Sequence, residues 1–104
     1  MTKPNPYLWP KGATIIVRDR YGEVCRSTER RFDLADAIML RSSTEQKTVT
    51  ISIMLHEASP ELGSRLENLI RYDLEFDGYR VALVEQESGD ALVSFEWKAT
   101  IRPA

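Results

Sequence analysis

From Lys47 to Leu55, apolar and polar side chains alternate with a period of two. Val49, Ile51, Ile53 and Leu55 fall on one face, and Thr48, Thr50, Ser52 and Met54 on the other. That period belongs to a strand buried on one side. The same alternation runs from Leu92 to Arg102, setting Val93, Phe95, Trp97, Ala99 and Ile101 against Ser94, Glu96, Lys98 and Thr100. Between the two, the spacing becomes helical: Leu62, Leu66, Leu69, Ile70 and Leu74 share a stripe, while Ser64, Arg65, Glu67, Asn68 and Arg71 face water. Ser59 is a suitable N-cap for that helix, Pro60 fits its first position and Glu61 complements its positive end. Gly78, after Asp77, supplies the left-handed stop. Tyr79–Glu85 reads as the next strand, and residues 86–90 as the loop of a hairpin into the last.

Earlier in the chain, Ala13–Arg18 and Glu23–Ser27 flank Asp19-Arg20-Tyr21-Gly22, a turn that predicts a β-hairpin. Asp33 is placed to cap a short helix over 34–40, with Leu34, Ala37 and Ile38 on one face. A strand over 37–42, paired to 47–55 across the polar turn 43–46, is the competing expectation. Residues 1–12 hold Pro4, Pro6, Pro10 and Gly12, so they form an extended arm rather than a regular element. That arm carries Tyr7, Leu8 and Trp9, which must pack either on the domain's own sheet or on a neighbour. The whole is a single-domain α+β fold over 13–104 in the order β-β-α-β-α-β-β. Its sheet is mostly antiparallel, with both helices packed on one face. The last strand is the longest, and at a sheet edge it would offer free backbone groups to another subunit.

Over 47–104, strand, proline-started helix, strand, loop and long strand follow in an order similar to that of tail-terminator and related neck proteins of tailed phages, which assemble into rings. The similarity covers about half the chain and lies in element order, not in a shared motif. The amino-terminal hairpin departs from that family's pattern. A ring-forming structural role is what the resemblance implies.

Composition narrows the chemistry. A single cysteine, Cys25, leaves no partner for an internal disulfide, and with one histidine, His56, one chain cannot assemble a Cys/His zinc site. No apolar run approaches the ~20 residues that cross a bilayer, and the first residues lack the apolar stretch of a signal peptide, so a cytoplasmic location is expected. No phosphate-cradling glycine loop, dinucleotide fingerprint or nucleophile elbow is present. His56 is read as an ordinary loop histidine. Asp73, Glu75 and Asp77 resemble the start of a calcium loop, but position twelve is Val84 rather than a bidentate glutamate. No cofactor, metal or small-molecule substrate is expected, and the chain is read as non-enzymatic.

The charge is −2 overall, yet residues 1–31 hold seven basic and three acidic side chains, a balance of +4 that leaves −6 for residues 32–104. If folding leaves these regions on different faces, the dipole suits contact with a charged partner or with copies of the same chain; the alternative is that the two parts pair with each other inside the one domain. The expectation is therefore a protein–protein interaction module, a subunit of a homo-oligomer or larger assembly. A monomeric regulator, inhibitor or immunity-type protein is the first alternative. Contact candidates are Tyr7, Leu8 and Trp9 on the arm, Arg26, Arg30 and Arg31 on the basic segment, and Glu75 and Asp77, which lie unfavourably at their helix's negative pole. Nucleic-acid binding through the basic hairpin, with Arg18 and Arg20, is the remaining alternative. The acidic remainder and the lack of an aromatic–basic motif argue against it.

Overall fold

Five strands form one sheet in the order β2-β1-β3-β5-β4, and every neighbouring pair is antiparallel. They are Thr14–Asp19 (β1), Gly22–Ser27 (β2), Lys47–Met54 (β3), Tyr79–Gln86 (β4) and Ser94–Pro103 (β5). Two helices, Leu34–Met39 (α1) and Leu62–Phe76 (α2), complete the α+β fold. The computed structural model describes residues 8–39, 46–56, 62–86 and 94–103. The proposed cap Ser59-Pro60, the loop 87–90, residues 40–45 and Tyr7 lie outside them.

The topology follows from two crossovers that share β3. The crossover β2-α1-β3 leaves β1 between its two strands, and β3-α2-β4 leaves β5 between its own. Each inserted strand is antiparallel to both neighbours, so the sheet needs no parallel pairing. β5 is therefore interior, paired along its length to β3 on one side and β4 on the other. Among the described residues, β2 and β4 are the edges of the sheet.

Alternation fixes the faces. Ile15 and Val17 of β1, Val49, Ile51 and Ile53 of β3, and Phe95, Trp97, Ala99 and Ile101 of β5 all point to the helix side and are buried. Leu34, Ala35 and Ile38 of α1 and Leu66, Ile70 and Leu74 of α2 close over them. Glycine at position 63 lets α2 come down on β5, because a Cβ there would sit 3.1 Å from the Phe95 ring. The Trp97 indole N–H donates to Glu67 Oε1 at 3.1 Å, fixing α2 to β5. Residues 37–39 are helical, so over that part of 37–42 the helix prevails over the competing strand.

Trp9 is 1% exposed and belongs to this core. Its indole N–H donates to the Phe32 carbonyl at 2.8 Å, its backbone N–H to the Arg30 carbonyl at 2.8 Å, and its own carbonyl accepts from Arg30 Nε at 3.0 Å. Of the two dispositions open to the arm, Trp9 takes the one on its own domain, because only there does its N–H find a buried acceptor.

Candidate interaction surface

The sheet face opposite the helices carries the other half of each strand's alternation: Ile16 and Arg18 of β1, Glu23 of β2 opposite Arg18, Thr48, Thr50, Ser52 and Met54 of β3, Arg80, Ala82 and Val84 of β4, and Glu96, Lys98, Thr100 and Arg102 of β5. Along one row, Lys98 is in register with Thr50, and Thr50 with Arg18. Further towards the β1–β2 turn end, Arg102 of β5 lies directly opposite Arg80 of β4, both exposed. Like charges opposed across a strand pair repel, so this register carries a local cost.

At the hairpin end the face deepens into a groove of about 660 Å³. Arg18, Arg20, Lys47 and Lys98 line it, with Thr48 and Thr50 between them, and Asp19 is the one carboxylate among its lining residues. Local sequence builds its wall. Asp19 and Gly22 face each other across a two-residue turn, and Gly22 has φ +121°, which side-chain-bearing residues avoid. Asp19 Oδ1 accepts from the Tyr21 backbone N–H at 2.8 Å, which turns that carboxylate back into the turn. Tyr21 is left 78% exposed, with the Arg20 guanidinium 4.7 Å above its ring centroid. Arg18 Nη1 donates to Ser52 Oγ at 3.3 Å, and Ser52 in turn donates to Glu96 Oε2 at 3.2 Å, which holds Arg18 across the face.

A second polar cluster lies where the two helices meet. Carboxylate oxygens of Asp33, Asp73 and Asp77 come within 4.8 Å of one another. Asp73 is 0% exposed and accepts from the backbone N–H groups of Leu34 at 3.3 Å and Ala35 at 3.1 Å, while Asp33 Oδ1 accepts from that of Asp36 at 2.9 Å. These are the first three amides of α1, which has only six residues and would otherwise leave them unsatisfied inside the protein. The cluster is thus a capping arrangement supplied partly by α2 from 38–39 residues away.

The sequence-derived contact residues do not converge. Leu8 is half-buried and Trp9 is in the core, unavailable as a surface contact. Arg26 is paired with Glu23 at 2.8 Å; that hydrogen bond holds the Glu23 carboxyl below its usual range and pushes the Arg26 guanidinium up. Arg30 is spent on the Trp9 carbonyl, and Arg31 is exposed. Glu75 and Asp77 are exposed on the helix side, Glu75 being 3.9 Å from Arg71. The cations that do converge are Arg18 and Arg20, with Lys47 and Lys98, which the sequence reading left out. Lys98 is legible in the polar half of the β5 alternation, whereas Lys47 has the parity of Val49 and Ile51, so nothing in the pattern points it to this groove.

No protein-family model, curated protein or solved structure matches this chain. Among the described residues, His56 and Cys25 are the only side chains of their kind; His56 is exposed beside Gly12, and Cys25 is half-buried on an edge strand. No helix among them is long and apolar enough to cross a membrane.

Proposed function

We propose that this chain is a non-enzymatic interaction module whose working surface is the helix-free sheet face, and that it binds an anionic partner there. The observation that carries this reading is the gathering of four cations, Arg18, Arg20, Lys47 and Lys98, around one groove whose lining holds a single carboxylate. Concave walls focus a field of one sign and raise the local concentration of its counter-ion. The opposed pair Arg80 and Arg102 extends the cationic strip along β5 at a cost that an anionic partner would relieve.

Retention on a heparin column tests this. A chain with net charge −2 has no global attraction for the matrix, so binding in low salt would report the patch. Lys98→Glu and Arg102→Glu, both at exposed positions, should each elute at clearly lower salt. Flow-through of the wild-type protein would sink the reading. A second reading, the subunit of an assembly, keeps one specific support. Among the described residues, β4 is an edge of eight residues with Val84 59% exposed, and such an edge is a template for strand pairing.

A further inference from the structure

The geometry points to single-stranded nucleic acid as the anionic partner of the helix-free face, with its backbone along the cations and a base on the Tyr21 ring. This rests on the reading of that face as the binding surface, and three observations carry it further.

The first is the layout of the cations. Lys98 and Arg18 are two strands apart in one row, roughly 10 Å, and Arg102 stands four residues along β5 from Lys98, roughly 13 Å. The charges form a track across the sheet rather than a single pocket, which suits a partner whose anions repeat along a chain. Exposed Thr48 and half-buried Thr50 place hydroxyl groups between the cations. They are neutral donors for phosphate or sugar oxygens.

The second is Tyr21. A large ring exposed to this extent at a turn tip, backed by a guanidinium at 4.7 Å, is a flat π-surface beside the track. The Arg20 side chain is held there by its own hydrogen bond from Nη2 to the Tyr21 hydroxyl at 2.6 Å. Bases stack on such platforms whatever their identity, and an aromatic ring flanking a cationic groove is the combination that single strands use. The carboxylates of an acidic peptide have no flat face to lay on it. Bases paired inside a duplex cannot reach it, and neither α1 nor α2 lies on this face to enter a groove.

The third concerns self-association through the two charged regions. The acidic surface at Asp33, Asp36 and Asp77 is itself a depression, of about 290 Å³. Two concave surfaces do not fill one another, so a second copy of the chain does not supply the occupant.

The net charge of −2 does not oppose this, because the acidic groups of the helix side are separated from the track by the sheet. Two carboxylates share the face, and both are engaged: Glu96, next to Lys98 in the polar half of β5, accepts from Ser52, and Glu23, in register with Arg18, is paired with Arg26.

The test is fluorescence anisotropy of a labelled oligothymidylate about 20 nucleotides long, titrated at roughly 50 and 200 mM salt. Three chains are compared with the wild type: Lys98→Ala, Arg102→Ala and Tyr21→Ala. All are changed at exposed positions, and circular dichroism confirms that they fold. The lysine and arginine variants should weaken binding and each flatten the slope of log K against log salt by about 0.7, one phosphate contact apiece. Tyr21→Ala should weaken it by roughly 5-fold or more while leaving that slope in place. A labelled polyglutamate peptide of similar charge should bind far more weakly and compete poorly. Polyglutamate binding as tight as the oligonucleotide, or tighter, overturns the nucleic-acid inference and leaves the anionic-partner reading standing. Binding of neither overturns both. Oligonucleotide binding that none of the three substitutions alters removes the site.

Discussion

Asp73 holds two backbone N–H groups of α1 from a position with no solvent access, so truncating it strands both donors inside the protein. Each lost partner costs about 1–3 kcal/mol. Asp73→Ala should therefore destabilise the domain by about 3 kcal/mol or more in urea unfolding, and Asp73→Asn by less because it keeps one acceptor. A loss under about 1 kcal/mol for the alanine variant would show that the cap is replaceable. The residue was legible in part. Position 73 falls on the stripe of Leu66, Ile70 and Leu74, where a carboxylate must meet a donor once buried. What the sequence could not supply was the donor, since nothing local relates position 73 to residues 34 and 35. For the contact candidates Arg26 and Arg30 the limit was similar. Both lie on segments readable as basic, but the partner each one has, Glu23 or the Trp9 carbonyl, depends on the fold.

At the scale of elements, period alone placed most of the architecture. β3 and β5 bury the apolar half of their alternation, α2 buries its leucine stripe, and Gly78 stops that helix with φ +89° and its N–H on the Glu75 carbonyl at 3.0 Å. Order in the sheet was not legible, because hairpin and crossover connections alone do not say which strand is inserted between which. The arm was ambiguous for a related reason: a proline-rich segment with aromatic residues reads the same whether it docks at home or abroad. For Trp9 the fold decides it, and that residue has a measurable weight. Trp9→Ala leaves a ring-sized hole and deprives the Phe32 carbonyl of its indole donor, and should cost about 3–5 kcal/mol in denaturant unfolding. A variant within about 1 kcal/mol of wild type would mean that the segment contributes no packing.

For the molecule as a whole, the open question between binding module and assembly subunit turns on mass. Light scattering across a range of concentrations and at low and high salt should return the mass of one chain, 11.9 kDa, if the cationic face serves a foreign partner. A defined multimer that Val84→Lys disperses would instead assign β4 to strand pairing between copies, since a charge there blunts an edge. Placing the last strand between two earlier ones also orders events during folding. Until β5 inserts, β4 has no strand beside it and the slot beneath α2 that Trp97 fills has no occupant. The hairpin β1–β2 and its pairing with β3 make one part of the sheet, α2 and β4 the other, and closure of the core waits on the single strand that joins them.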